Sequence, residues 1–83
     1  MLHVIRAQHV DEYRVHVWFN DGTDGEIDLA GKLSGPIFAP LRDVDYFQQF
    51  RLEGHTLAWE NGADFAPEYL FGLVESASKS TAS

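Results

Sequence analysis

Cysteine is absent from the chain, which excludes disulfide bridges and thiolate metal sites. Basic residues are scarce. Arg6, Arg14, Lys32, Arg42, Arg51 and Lys79 are scattered along the sequence and stand against thirteen acidic residues, for a net charge of −7. Non-specific nucleic-acid affinity comes largely from clustered lysine and arginine, so direct nucleic-acid binding is not expected. There is no long apolar run, and Met1-Leu2-His3-Val4-Ile5-Arg6 lacks a basic flank followed by an apolar stretch. Neither a signal peptide nor a membrane span is expected, and a soluble cytoplasmic protein is the default. Glycine-rich phosphate loops and Gly-x-Ser-x-Gly elbows are also missing. The histidines, His3, His9, His16 and His55, have no His-x-x-x-His spacing. No catalytic residue, metal site or cofactor site is assigned, and the chain does not read as an enzyme.

With 83 residues there is room for one domain. A domain of this size buries only about 60% of its unfolded surface, so modest stability is expected and association with a second copy would add to it. The domain is expected over residues 1–75, with a small, polar, flexible tail over 76–83.

The strongest local pattern is an alternation. Tyr13, Val15, Val17 and Phe19 interleave with Arg14, His16 and Trp18, the period of a strand with one buried face. Asn20-Asp21-Gly22 follows, then a second alternating run from Thr23 to Leu29. A two-residue Asp21-Gly22 loop would set Val17 against Glu26. A three-residue Asn20–Gly22 loop sets Val17 against Gly25, Val15 against Ile27 and Tyr13 against Leu29. A one-residue slip swaps faces, so only the second register puts apolar opposite apolar. It requires a type I turn with a left-handed Gly22 in a G1 bulge. Leu2 to His9 reads as the preceding strand. A Val10–Glu12 loop is preferred, with Ile5 opposite Val17 and Ala7 opposite Val15.

Residues 30–40 are broken by Gly31, Gly35, Pro36 and Pro40, with room for one helical turn around Ile37-Phe38-Ala39. Asp43 suits an N-cap for a short helix from Val44 to Gln49, and Leu41, Val44 and Phe47 would face the sheet. A second hairpin pairs Leu52 with Leu57 and Phe50 with Trp59 across Gly54-His55, in a type II′ turn. Trp59-Glu60-Asn61-Gly62-Ala63-Asp64-Phe65-Ala66-Pro67 then ends a strand, turns, and enters a last helix of about two turns. Pro67 is at its first position and Tyr69, Leu70, Leu73 and Val74 form its apolar face. The fold class is α+β: a small antiparallel sheet of about five strands, a three-stranded meander plus a second hairpin, with two short helices.

Two groups stand out as candidate functional residues. Trp18 points away from the core face, beside His16 and Arg14, and is a candidate interface unless Leu2 and Val4 cover it. Trp59, Asn61 and Asp64 form a candidate pocket or turn. Asp64 reads first as a backbone hydrogen-bonding residue near the helix start. The acidic run from Asp21 to Asp28 fails as an EF-hand loop, with Glu26 at the sixth position and Lys32 at the twelfth. Asp24, Glu26 and Asp28 are expected on a solvated face.

In order along the chain, three segments carry a resemblance. They are Phe19-Asn20-Asp21-Gly22 with Ile27-Asp28-Leu29; Gly35 to Asp43 with Phe47; and Leu57 to Asp64 with Pro67 and Leu70. Together they resemble the bacterial domain-of-unknown-function 2442 family, over about Ile5 to Leu73. The resemblance implies a small α+β fold and no assigned activity. Some relatives carry a following helix-turn-helix domain, some lie in gene neighbourhoods that look like toxin–antitoxin pairs, and some bear a molybdopterin-guanine dinucleotide biosynthesis label. These residues contain neither a helix-turn-helix domain nor a nucleotide-binding motif to match.

The functional expectation is a non-catalytic protein-interaction or regulatory module, part of a toxin–antitoxin-like pair, that binds a protein partner or self-associates through a strand edge. The alternatives are a small-ligand-binding or enzyme-accessory domain around Trp59, Asn61 and Asp64, and a transcription-regulator component without its own DNA-binding domain.

Overall fold

The computed structural model describes residues 1–81, with side chains as far as Ala77. Strands β1 (Val4–Asp11), β2 (Arg14–Phe19) and β3 (Asp24–Asp28) form an antiparallel sheet in that order. Strands β4 (Arg51–Glu53) and β5 (Thr56–Ala58) form a second, two-stranded sheet. Between them lie 3-10 segments at Ala30–Lys32 and Pro36–Arg42 and the one-turn helix α1 (Val44–Phe47). Helix α2 (Pro67–Thr81) closes the chain. The fold is α+β with five strands, as the alternation predicts.

The β2–β3 register is the one that matches apolar with apolar: Val15 faces Ile27 and Val17 faces Gly25. The Phe19 N–H donates to the Thr23 carbonyl (2.8 Å) and the Gly22 N–H to the Phe19 carbonyl (3.2 Å), with Gly22 at φ +92°. Trp59 to Ala63 repeats this geometry. The Trp59 N–H donates to the Ala63 carbonyl (2.9 Å) and the Gly62 N–H to the Trp59 carbonyl (3.0 Å), with Gly62 at φ +93°. In each turn the residue before the glycine accepts from the residue after it: Asp21 Oδ1 from the Thr23 N–H, Asn61 Oδ1 from the Ala63 N–H. Short polar side chains that bond the backbone two residues on are what hold such turns closed.

The β1–β2 register differs from expectation by two residues. Ala7, not Ile5, faces Val17, and His9 faces Val15. The strand continues to Asp11, so the turn is Glu12-Tyr13, with Glu12 at φ +40°. Register shifts between Val4 and Arg6 and between His9 and Asp11 bend the strand. The first shift brings Val4 opposite Phe19 into the core at 3% exposure and leaves Ile5 outside at 59%. The N-terminal segment is fixed by Asn20, whose Oδ1 accepts from the His3 N–H (2.9 Å) and whose Nδ2 donates to the Met1 carbonyl (2.7 Å).

The β4–β5 hairpin pairs Leu52 with Leu57 as expected, but its turn is type I′. Both Gly54 (+61°) and His55 (+68°) have positive φ, whereas type II′ needs it only at the first central residue. Helix α1 is capped by Asp43, whose Oδ1 accepts from the Asp45 N–H (3.0 Å), and it ends at Phe47 rather than Gln49. Helix α2 is longer than the expected two turns: residues 76–81, read as tail, continue it to Thr81. Residues 82–83 lie outside the described residues.

The core lies between the inner face of the three-stranded sheet and everything after it. Val15, Val17, Phe19, Ile27 and Leu29 meet Leu33, Leu41, Phe47, Leu57, Trp59, Phe65, Leu70 and Val74. Phe47 sits at its centre, with Tyr13 5.4 Å and Trp59 5.6 Å away between ring centroids. Burying each such side chain stabilises the fold by about 1.5–3 kcal/mol. This arrangement spends the inner face on packing and leaves the even-numbered residues of β2 and β3 on the opposite face.

Candidate functional site

Strand alternation places Arg14, His16 and Trp18 together on that outer face, and pairing aligns them with neighbours from both sides. Trp18 lies between Arg6 and Asp24, His16 between Gln8 and Glu26, and Arg14 between Asp11 and Asp28. The Arg6 guanidinium stands 4.7 Å from the Trp18 ring centroid, within cation–π range. The His16 ring is also against Trp18, with centroids 4.3 Å apart and a tilt of 36°. His16 Nε2 is 2.6 Å from Asp24 Oδ2. Arg14 grips Asp11 with two bonds, Nε to Oδ1 at 2.6 Å and Nη2 to Oδ2 at 2.5 Å, and its Nη1 is 3.7 Å from Glu26. Hydrogen bonding from Arg14 holds the Asp11 carboxyl below the usual carboxylate range, and the same contact raises the Arg14 guanidinium.

Trp18 is thus half-buried by Arg6 and His16, not by Leu2 and Val4; Val4 is in the core. Sequence reasoning missed Arg6 and Asp11. Only the correct β1 register brings Arg6 to Trp18, and no turn glycine marks that register. Among the described residues no hydroxyl hydrogen-bonds His16, and no group of three or more metal-ligating side chains converges. The arrangement offers an aromatic ring flanked by charged side chains of both signs. Its chemistry is recognition: flat apolar contact at Trp18 and charged hydrogen bonds around it.

The second candidate group does not converge. Trp59 is 2% exposed and its Nε1 donates to the Phe47 carbonyl (2.8 Å), so it is a core residue. Asn61 is occupied in bracing the turn, with Nδ2 donating to the Ile37 carbonyl (2.8 Å) and Oδ1 accepting from Ala63. Asp64 is exposed, and its backbone bridges Ala58. Its carboxylate makes no hydrogen bond to the described residues, so the expected bonding to the helix start is corrected: α2 begins at Pro67, three residues on. Asp64 and Trp59 border a shallow recess of about 190 Å³ that Asn61 does not line.

The model of a family of proteins of unknown function (DUF2442) matches residues 4–76, most of the chain, and the chain belongs to that family. No curated protein and no solved structure matches it. No helix among the described residues is long and apolar enough to cross a membrane.

Proposed function

We propose that this member of the DUF2442 family is a non-catalytic, cytoplasmic protein-interaction module, acting as the neutralising or regulatory half of a toxin–antitoxin-like pair. The observation that carries this reading is Trp18, in contact with Arg6 and His16 on a sheet face over which no further layer packs among the described residues. Aromatic residues with few rotatable bonds are frequent binding anchors, and holding the ring in place beforehand reduces the entropy lost on binding. The surrounding ion pairs favour a polar rim that sets orientation and partner choice.

The test is retention of proteins from the native cell extract on the tagged chain, beside its Trp18→Ala variant, with mass determination of what is held. A stoichiometric protein lost in the variant supports the reading. Retention of nothing but the chain itself removes it, and the alternative of a small-ligand domain at the Asp64 recess would then be tested by metabolite screening.

A further inference from the structure

We infer that the outer edge of β3 is the docking site for an extended basic segment of a protein partner, added to the sheet as a further strand. This rests on the protein-interaction reading and names the chemistry of the partner.

Three observations converge on that edge. The first is backbone accounting. The three-stranded sheet has two edges. The β1 edge is approached by the second hairpin, where the Val4 N–H donates to the His55 carbonyl (2.9 Å). The β3 edge has no such neighbour strand among the described residues. Its ladder with β2 is bracketed by Phe19 N–H to Thr23 and Leu29 N–H to Tyr13. Antiparallel pairs alternate between bonded and non-bonded, so Gly25 and Ile27 spend their backbone groups on β2. Asp24, Glu26 and Asp28 turn theirs outward, a ready template for another strand.

The second observation is shape. A groove of about 410 Å³ runs beside the edge, with Thr23 to Glu26 as one wall and Val74, Glu75 and Ala77 of α2 as the other. A docked strand alternates its side chains. One set would enter this groove against Val74 and Ala77. The other set would lie on the outer face beside Asp24, Glu26 and Asp28.

The third is charge. That outer row is acidic, Glu75 adds a further carboxylate from the α2 wall of the groove, and the nearby Arg14 and His16 are already engaged with Asp11 and Asp24. Pairing β3 with β3 of a second copy would set carboxylates against carboxylates, which is destabilising. The complement is a strand alternating small apolar residues with lysine or arginine. Main-chain bonds would supply affinity and the alternate side chains specificity.

The experiment is an amide NMR titration of the full chain with an alternating lysine–valine hexapeptide and with its glutamate–valine counterpart. Two variants are run beside the wild type. Glu26→Pro deletes an outward N–H that no ladder bond uses, a position where an edge strand tolerates proline. The pair Glu26→Lys and Glu75→Lys reverses charge without touching the backbone. The expected result is slowed exchange at the Asp24, Glu26 and Asp28 amides with the lysine peptide only. Binding should weaken by about tenfold or more in Glu26→Pro, as for loss of one main-chain bond and its register. Preference should swap to the glutamate peptide in the charge-reversed pair, which decides the matter even if Glu26→Pro does not fold. The inference is overturned if either peptide binds elsewhere, if both bind alike, if neither binds, or if those amides are protected by dimerisation without peptide. A native partner retained through Trp18 while neither peptide binds would sink this inference alone. Absence of any native partner sinks the interaction reading beneath it.

Discussion

Gly25 and Val74 are in direct apposition: a Cβ built on Gly25 would lie 2.7 Å from Val74 Cγ1. Gly25 pairs with Val17 on β2, so the missing side chain is what lets α2 settle against β3. The contact joins the last helix to the edge strand, and Val74 is itself 7% exposed. Valine is stiff about χ1 and cannot swing aside cheaply. Gly25→Ala should therefore cost about 1–3 kcal/mol, the usual range for overpacking a filled site. Urea denaturation of Gly25→Ala, Val74→Ala and the double variant checks this. The double variant should be more stable than the sum of the single losses predicts. Equal stability of Gly25→Ala and wild type would show that the helix does not need this close approach.

Gly22 and Gly62 make the same demand on the backbone in two different turns. Gly22 has open space around it, and Gly62 has only the Ile37 Cδ1 at 4.0 Å. The cost of a side chain at either position is thus conformational. Alanine at each should lose about 1–2 kcal/mol, the penalty for an L-residue in the left-handed region. Chemical synthesis with D-alanine at the same position should recover that loss. Similar losses for the L and D forms would mean that something other than φ governs the turn.

Trp59 and Trp18 should report oppositely on solvent. Trp59 is buried with its indole N–H bonded to the Phe47 carbonyl, whereas Trp18 is half-buried under Arg6 and His16. Acrylamide quenching is expected to fall mainly on Trp18 and to leave a blue-shifted residue of emission in Trp18→Phe. Trp59→Phe removes the donor and leaves the buried carbonyl without it, at a cost of about 1–3 kcal/mol. A Trp59→Phe protein as stable as wild type would show that water replaces the bond.

Asp11 sets a pH dependence whose sign follows from its contact with Arg14. Its folded-state pKa is lowered by hydrogen bonding to Arg14. The stability from this pair is complete above the unfolded carboxylate value of about 3.9. It is lost as pH falls below that value through the lowered folded pKa, because the unfolded state then binds more protons. NMR titration of the Asp11 carboxyl should show the low value in wild type and a return toward about 3.9 in Arg14→Gln. An unchanged titration in that variant would remove Arg14 as the cause.

How far the sequence was legible can be followed strand by strand. The β2–β3 register was readable because each position had a distinct face preference and Asn20-Asp21-Gly22 fixed the turn. The β4–β5 register was readable for the same reason, through Leu52 and Leu57. Its turn type was not: a leading glycine fits both primed turns, and φ at His55 decides between them. The β1 register was unreadable because Glu12-Tyr13 carries no turn glycine and Val4 and Ile5 are equally apolar. Packing opposite Phe19 chose Val4. The length of α2 was underestimated because small polar residues carry no apolar periodicity. A helix nucleated on Leu70 and Val74 needs only one further bond per added residue to continue.

The candidate residues divide along the same line. By itself the sequence determined the fold class, two of the hairpin registers, and which face of β2 would hold Arg14, His16 and Trp18. Those follow from periodicity and turn chemistry, which act between near neighbours. Only the tertiary structure decided that Arg6 covers Trp18, that Trp59 belongs to the core, that Asn61 braces Ile37, and that the outer edge of β3 is unpaired among the described residues. Those depend on which segments distant in sequence meet, and chain periodicity encodes the face a residue takes, not the partner it finds there.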